Sequence, residues 1–400
     1  MIINGVKGNC TLNNLKYFNS VDSTCIDYMH SVLEGVIKNH FNYWFNGKIS
    51  ASYSLGKYMQ ELDRRLLNIK PPKYIPCTPR SIYTHHLWRA HEYSTFILFY
   101  SLTVFHGLMS HDCYENLKKL VIFLEVLLSP AIDLDNLKKV DYLIQDFVSE
   151  LNELYDEKIM LSGTHELLHL VDCTIAFGPL NLINLFQFEE LNRILVSFLH
   201  GFDLIGEEIF KIFLTARTLL NYSENINNVQ IKNYILKNLK FKSSNKKRLF
   251  HNLACVKMLS KAEVTTNQLY LDLMKNNQMN EQTTLTMYSK IIFNGVYFSS
   301  KFLHTKRCDS CFVSSNGTYG LIKKFFYNNE IVYVIARKIV MIYNPFFTQK
   351  YPELKSKLSI CAVSNDYFIE EVRKIQKSFI IKPDDDSCYI STFTTGHLFN

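Results

Sequence analysis

The chain has 400 residues, a formal net charge of +7, and 47% hydrophobic, 14% aromatic and 20% charged residues. This length exceeds what one ordinary core needs, so we expect two or three domains. The composition excludes a largely disordered chain. The mild positive charge permits contact with nucleic acid without requiring it.

The ten cysteines are scattered apart from Cys308 and Cys311, and residues 1–10 lack the apolar core of a signal peptide. We therefore expect free thiols in a reducing compartment. The longest uncharged run, between Glu92 and Asp112, carries serine, threonine and histidine and predicts a buried helix rather than a membrane span. These features predict a soluble protein of the nucleus or cytoplasm, not secreted and with no membrane partner.

The first half of the chain has the periodicity of helices. From Ile26 to Phe45 the apolar residues recur at spacings of three, four and seven, which predicts one buried helical side. A second helix over about 55–67 must end before the proline-rich residues 71–79, because proline lacks an N–H and has a fixed φ. Further helices are predicted near residues 82–106, 112–129, 134–156, 163–175, 186–200 and 207–221.

The pattern changes to the alternation of strands over residues 286–400, with a turn at Asn328 and Asn329 and a helix near 367–377. We therefore predict an α+β fold, mainly α with a small C-terminal antiparallel β domain. Between the two parts, residues 226–285 form a predicted basic helical linker. Its candidate DNA-binding residues are Lys240, Lys242, Lys246, Lys247 and Arg248. They could neutralise several phosphates, and a solvated linker is the equal alternative.

The segment HELLH places His165 and His169 on one helical face, where both could bind zinc, with Glu166 between them to take a proton from metal-bound water. Glu189 follows His169 by 20 residues, the spacing of a third ligand in one class of such peptidases. This pattern predicts a zinc-dependent metallopeptidase. The alternative is two histidines of an amphipathic core helix, because leucines surround both of them.

Three weaker signals have simpler interpretations. His91 and Glu92 are interpreted as a buried pair rather than a metal or DNA site. Cys308 and Cys311, with His304 nearby, would need a second ligand pair to bind zinc. The acidic run at residues 384–386 follows a proline and predicts a solvated turn rather than a calcium site.

Five segments in order resemble the C-terminal half of transposases encoded by CACTA (En/Spm-type) DNA transposons, and the resemblance covers most of residues 1–225, with a weaker match to residue 400. It implies a partial RNase H-like core in residues 1–225, a large helical insertion at about 80–185, DNA as the partner, and a homo-oligomer, because transposases generally work as multimers. The five segments are NSVDSTCIDYMHSVLEGVIKNHFNYWF, LLNIKPPKYIPCTPRS, WRAHEYSTFILFYSLTVFHGLM, THELLHLVDCTIAFGPL and LFQFEELNRILVSFLHG.

The resemblance also implies which residues would be catalytic. Such enzymes use two Asp and one Glu to hold two Mg²⁺ or Mn²⁺ ions for strand transfer. Asp27 and His30 match the family's Asp-x-x-His signature, so Asp27 would be the second carboxylate, although an aspartate before a helix also serves as an N-cap. Glu189 would be the third carboxylate, with Glu190 as the alternative. The counterpart of HELLH in such relatives usually lacks the glutamate, which favours the transposase over the peptidase.

The chain departs from the family before Asp27. Only 26 residues precede it, whereas the strands that carry the first catalytic Asp would need on the order of 40 residues. We therefore expect a truncated, catalytically inactive transposase-like protein that retains weak DNA binding and does not bind Mg²⁺ or Mn²⁺ productively. The alternatives are a zinc peptidase that uses His165, Glu166, His169 and Glu189, and a structural interaction module.

Overall fold

The computed structural model describes residues 8, 10–20, 23–197, 199, 204–224, 226–231, 251–253, 256–279, 284–300, 306–385 and 387–392. The chain divides into two compact units. The first comprises Met1–Asn184 and Phe250–Asn400, and the second comprises Leu185–Leu249. The first unit contains helices and antiparallel sheets, which confirms the predicted α+β class.

The helices of the first unit follow the predicted positions closely. Helix α1 consists of consecutive helical stretches, as do α3 and α6. The bounds are α1 Tyr28–Ile37, Lys38–Phe41 and Asn42–Asn46; α2 Met59–Asn68; α3 Ala90–Thr95, Phe96–Tyr100 and Ser101–Phe105; α4 His111–Leu127; α5 Leu134–Leu154; α6 Ser162–Glu166, Leu167–His169 and Leu170–Phe177. Short 3₁₀ turns lie at Thr11–Asn14, Gly56–Tyr58, Ile82–Leu87 and Glu157–Ile159.

The second unit contains helix α7, Phe186–Val196, and helix α8, Ile205–Glu224. Both lie where the sequence predicted them. The basic residues 232–248 fall outside the described residues.

An aromatic core holds α1 against α3. The apolar face of α1 is buried, as its spacing predicted, and Phe41 lies with its ring centre 5.2 Å from that of Phe96. Trp44 lies at the same distance from Phe105, and its indole N–H donates to the Tyr155 hydroxyl at 2.9 Å. Rings of this size supply much of the apolar area that a helical core buries. This packing fixes α1, and with it Asp27 at its N-terminus.

The proline-rich segment after α2 is non-helical, as predicted, and it docks on the β domain. Its carbonyl oxygens accept hydrogen bonds from the Arg307 guanidinium, which donates to Pro72 and Pro76 at 2.9 Å each and also to Ile75. The Cys308 N–H donates to the Pro71 carbonyl at 3.1 Å. A proline has no N–H to donate, so its carbonyl is the only backbone group it can pair.

The β domain consists of two antiparallel sheets with a short helix α9, Gln268–Asn276. The smaller sheet has the order β1-β2-β5-β6. The larger sheet has the order β11-β7-β8-β9-β10-β13-β12, in which β4 also pairs with β8 and β3 pairs with β4. The strands are β1 His251–Leu253, β2 Val256–Met258, β3 Glu263–Thr265, β4 Leu285–Tyr288, β5 Lys290–Phe293, β6 Val296–Ser299, β7 Cys311–Ser314, β8 Tyr319–Asn328, β9 Ile331–Tyr343, β10 Leu358–Glu371, β11 Ile375–Lys377, β12 Phe379–Ile381 and β13 Tyr389–Ser391.

The hairpin predicted near Asn328 and Asn329 joins β8 to β9, with its turn shifted by one residue. Asn328 pairs with Ile331, and the two residues between them have positive φ, 46° at Asn329 and 64° at Glu330. Two-residue hairpin loops favour this backbone because its twist matches that of the strands.

The prediction of a helix near residues 367–377 is wrong. Strand β10 continues to Glu371, and after a 3₁₀ turn at Val372–Lys374 the chain enters β11. Phe368 pairs with Ala336 of β9, and Ile369 pairs with Ile335. An aromatic and a β-branched residue of this segment therefore lie in the sheet. Strand pairing decides such a segment over its local helical pattern.

The strands also begin earlier than expected. Strands β1 to β3 and helix α9 lie within residues 226–285, the region predicted to be a helical linker. Conversely, the described residues between 8 and 231 contain no strand, so none of them forms part of an RNase H sheet. Within the described part of the chain, no helix has both the length and the apolar character needed to cross a bilayer.

Candidate functional site

A cleft of about 610 Å³ opens between the start of α1 and helix α6. It brings Asp27 of the Asp-x-x-His pair together with two residues of HELLH and a further acid, although these segments are far apart in sequence. Apolar contacts come from Ile26, Ala176 and Phe177. The polar lining consists of Thr24, Cys25, Asp27, Ser31, Glu166, His169, Asp172 and Cys173.

Asp27 is the N-cap of α1. Its carboxylate accepts hydrogen bonds from the backbone N–H groups of Met29, at 3.2 Å, and His30, at 2.9 Å. The same carboxylate lies 2.5 Å from Nδ1 of the half-exposed His30 ring. An aspartate at this position satisfies the unpaired N–H groups of the first helical turn. The N-cap interpretation is confirmed, and the Asp27 carboxylate also contacts the His30 ring.

HELLH does not lie on one continuous α-helix. The helix changes to a 3₁₀ turn at Leu167–His169 before it resumes at Leu170. The exposed rings of His165 and His169 still meet, with their Nε2 atoms 3.4 Å apart. Glu166 accepts a hydrogen bond from Ser31 Oγ of α1. The glutamate between the histidines therefore joins α6 to α1.

The residues that would hold Mg²⁺ or Mn²⁺ do not fit a two-metal site. A carboxylate offers about four lone-pair positions, and Asp27 uses three of them within its own first helical turn. Glu189 lies in the first turn of α7 and is exposed. Glu190 is also exposed and is paired with Arg193 at 2.5 Å. Among the described residues, no three His, Cys, Asp or Glu side chains form a group that could hold a metal ion.

Zinc fits HELLH in part. Two imidazoles that bind one tetrahedral zinc at about 2.0–2.1 Å place their nitrogen atoms roughly 3.3–3.4 Å apart, which is the spacing of His165 and His169. A peptidase also needs a third ligand and a glutamate directed at the metal-bound water. Glu166 accepts its hydrogen bond from Ser31 Oγ of α1. The arrangement therefore supplies two of the zinc ligands that a peptidase needs.

The candidate zinc cysteines are buried in the β domain. Cys308 Sγ lies 3.1 Å from Ser310 Oγ, and burial raises the pKa of both the Cys308 and Cys311 thiols. His304 falls outside the described residues. Asp384 accepts a hydrogen bond from the Ser387 N–H at 2.6 Å, as expected of a turn, whereas Asp386 falls outside the described residues.

Several polar residues have partners that the sequence did not suggest. Glu92 accepts two hydrogen bonds from Arg80 Nη1 at 3.1 Å, so its ion-pair partner is Arg80 and not the neighbouring His91. In the β domain, buried Asp309 lies 3.1 Å from Lys377 Nζ. No sequence pattern marked either pair, because their partners are set by the fold.

The five predicted DNA-binding residues fall outside the described residues: Lys240, Lys242, Lys246, Lys247 and Arg248.

Compared with known proteins, the chain matches no family model, no curated protein and no solved structure.

Proposed function

We propose that this chain is a CACTA transposase-like protein that binds DNA through its basic segment and does not itself cut DNA. Its helical region corresponds, in this proposal, to the part of an RNase H-like transposase that surrounds the Asp-x-x-His helix. The observation that carries the proposal is the position of Asp27, whose carboxylate caps α1 at the rim of the cleft and is bonded to His30.

The packing of the resembling segments supports this ancestry. The first segment, which contains α1, contacts the third through Tyr28, whose hydroxyl lies 3.1 Å from Ser94 Oγ. It contacts the fourth through the Ile26 N–H, which lies 3.4 Å from Cys173 Sγ. The second contacts the third through Cys77 Sγ, 3.6 Å from Thr95 Oγ1. Four segments that resemble one family are therefore linked by direct contacts within the first unit.

The hydrogen bonds accepted by the Asp27 carboxylate support the part of the proposal that the protein does not cut DNA. A metal-binding carboxylate must direct its oxygens at the ion, whereas here they accept from α1 and from His30. Incubation with supercoiled plasmid and Mg²⁺ or Mn²⁺ tests this point, and we expect no nicking above that of the Asp27→Asn variant. Nicking that disappears in Asp27→Asn would show that the site assembles and would overturn this part of the proposal.

DNA binding rests on the charge of residues 232–248, seven of which are Lys or Arg. Mobility shifts across a salt series should show sequence-independent binding that weakens steeply with salt. Replacing Lys246, Lys247 and Arg248 by Ala should weaken binding and reduce the slope of log K against log salt by up to about 2.7, since each phosphate contact contributes about 0.9.

A variant with equal loss of charge serves as the control. Lys48, Lys138 and Lys158 are exposed in the first unit and do not belong to the basic segment. Their replacement by Ala should leave the salt slope within error of the parent. If both triple variants bind equally, the basic segment is not the interface. If the parent shows no shift at low salt, the interaction-module alternative replaces DNA binding.

A second candidate function, the zinc-dependent metallopeptidase, is favoured by the 3.4 Å separation of the His165 and His169 nitrogen atoms. Bound zinc is measured after incubation and gel filtration, in the parent and in His165→Ala. His111→Ala is the control, because His111 is exposed and lies on a different helix. Stoichiometric zinc lost only in His165→Ala would support this candidate. Equal zinc in all three proteins would rule it out.

A further inference from the structure

Two cysteines of the β domain face each other across neighbouring strands. The registered pairs of β10 and β13 end at Ile360 and Tyr389, so the next opposed pair is Cys361 and Cys388. The Cys361 N–H donates to the Cys388 carbonyl at 2.9 Å, which continues the ladder by one step. The two Sγ atoms are 3.4 Å apart.

This placement satisfies the requirements of a disulfide. Opposed residues of a hydrogen-bonded antiparallel pair have Cα atoms about 5.5 Å apart, within the range of roughly 4.4–6.8 Å that disulfides span. To form the disulfide, the sulfur atoms must approach from 3.4 Å to a bond of about 2.05 Å.

The two thiols have different surroundings. Cys361 is 3% exposed and belongs to the apolar cluster with Cys308, Cys311 and Ile390, whereas Cys388 is partly exposed at the edge of this cluster. The hydrogen bond between them lowers the pKa of the Cys388 thiol and raises that of Cys361, and the charge of Lys382 acts further on Cys388 in the same direction. The accessible thiol is therefore the one that more readily becomes a thiolate.

We propose that Cys361 and Cys388 form a reversible disulfide when the protein meets a peroxide, with Cys388 as the attacking thiolate and Cys361 as the resolving thiol. The Cys388 thiolate attacks one peroxide oxygen, breaks the O–O bond and becomes a sulfenic acid, while the departing hydroxide takes up a proton to give water. Cys361 sulfur then attacks the Cys388 sulfur and displaces its oxygen as a second water. Two thiols are oxidised by two electrons in total, and one hydrogen peroxide is reduced to two water molecules.

Cys308 and Cys311 do not form an equivalent pair. Both are buried, at 3% and 1% exposure, and Cys308 Sγ is bonded to Ser310 Oγ. Burial raises the pKa of both thiols, so neither is disposed to react first. The two partners in a redox reaction are therefore Cys361 and Cys388, although the sequence directs attention to the Cys-x-x-Cys spacing.

Peptide mapping of the parent protein tests the proposal without any substitution. The folded protein is titrated with hydrogen peroxide, its remaining thiols are alkylated, and the digest is analysed by mass spectrometry with and without reduction. We expect a cross-linked peptide pair containing Cys361 and Cys388 to appear at lower peroxide than any other disulfide, and dithiothreitol to reverse it. If Cys308 and Cys311 are linked first, or if Cys25 is oxidised while Cys361 and Cys388 stay reduced, the proposal is wrong.

Two substitutions then separate the roles. In Cys361→Ser the reaction should stop at the sulfenic acid of Cys388, which dimedone traps, and in Cys388→Ser the buried Cys361 should stay reduced. Cys25→Ser removes an exposed thiol elsewhere and should leave the cross-link unchanged. Dimedone labelling of Cys361 in Cys388→Ser, equal to that of Cys388 in Cys361→Ser, would overturn the assignment of attacking and resolving thiols.

Discussion

Glu125 and Ser356 lie 231 residues apart in the sequence and are joined by a hydrogen bond of 3.0 Å, in which the serine hydroxyl donates to the carboxylate. The other carboxylate oxygen accepts from the Lys357 N–H at 2.8 Å. Glu125 belongs to α4 and is 2% exposed, whereas Ser356 and Lys357 lead into β10. This acid therefore fastens the helical part of the first unit to its β domain.

The stability of the first unit should fall as pH rises. Burial raises the pKa of Glu125 from 4.5 to about 8, and the hydrogen bonds from Lys357 and Ser356 oppose this only in part. The folded state therefore binds the proton of the Glu125 carboxyl group more tightly than the unfolded state does. The stability gained from this protonation is complete below pH 4.5 and is lost as pH rises through 8. Ionisation of this one group should lower the free energy of unfolding by on the order of 1 kcal/mol per pH unit within that window.

Glu125→Gln measures this contribution, because glutamine keeps the shape without the charge. Its oxygen can accept from the Lys357 N–H, and its amide group can donate to Ser356 Oγ. Urea unfolding at pH 5 and pH 8 should show the variant gaining stability relative to the parent as pH rises. Glu153→Gln, at an exposed position of α5, is the control and should leave the pH dependence of the parent intact. Identical pH dependence in Glu125→Gln and the parent would show that Glu125 is already ionised in the folded protein.

Asp27 should contribute to stability as a cap. Asp27→Ala removes the acceptor for the Met29 and His30 N–H groups and should cost about 0.5–2 kcal/mol of the free energy of unfolding. Asp27→Ser, which keeps a capping oxygen, should recover most of this loss. His30→Ala removes only the contact with a half-exposed ring and should cost less.

A metal role for Asp27 would give a different result. Millimolar Mg²⁺ should leave the melting temperatures of the parent and Asp27→Ser unchanged relative to each other. A rise in the parent alone would mean that Asp27 binds the ion and would contradict the capping account.

The helices of the first unit could be predicted because their signals are local. Asp27 before a stripe of apolar residues at three- and four-residue spacing specifies both the start and the buried face of α1. The proline-rich segment likewise ends α2 through covalent geometry alone. Such features depend on nothing outside a few consecutive residues.

Strands β1 to β3 could not be found in this way. Each has three residues, too few to show a period of two, and each is stabilised by its neighbours: β2 lies between β1 and β5, and β3 pairs with β4. The helical pattern of residues 367–377 is misleading for the same reason, because residues 367–371 pair with β9, which lies outside any local window.

The site could be predicted only in part. The sequence indicates Asp27, His30 and HELLH by spacing, but the bond between Ser31 and Glu166 spans 135 residues. The opposition of Cys361 and Cys388 is a matter of strand register, which a single residue of slippage would abolish. Composition and residue spacing predict neither the Ser31–Glu166 hydrogen bond nor the opposition of Cys361 and Cys388.

The buried pair of Asp309 and Lys377 should be sensitive to the loss of one partner. Their side chains are 4% and 9% exposed, and Asp309 also accepts from the Lys73 N–H at 3.0 Å. Asp309→Ala leaves the lysine charge buried without its counterion and should cost about 3–5 kcal/mol. Asp309→Ala combined with Lys377→Met should recover part of this loss in urea unfolding.

The exposed ion pair of Glu263 and Lys324 provides the control for the effect of Asp309→Ala. Glu263 is 57% exposed and bonded to Lys324, so Glu263→Ala should cost no more than about 1 kcal/mol. If Asp309→Ala costs as little as Glu263→Ala, the lysine must find another partner or reach water.

Gly320 of β8 should tolerate no side chain, because two phenylalanine rings occupy the space. A Cβ at this position would lie 2.4 Å from Phe312 Cζ and 2.9 Å from Phe368 Cζ. Gly320→Ala should therefore cost about 1–3 kcal/mol through overpacking. Gly206→Ala is the matched control: nothing lies within 4 Å of a Cβ at this position, so alanine there should cause no clash and cost little. Phe312→Leu should relieve the clash, so a double-mutant cycle of Gly320→Ala with Phe312→Leu should give a favourable coupling energy. Strict additivity would mean that β8 shifts away from the rings instead.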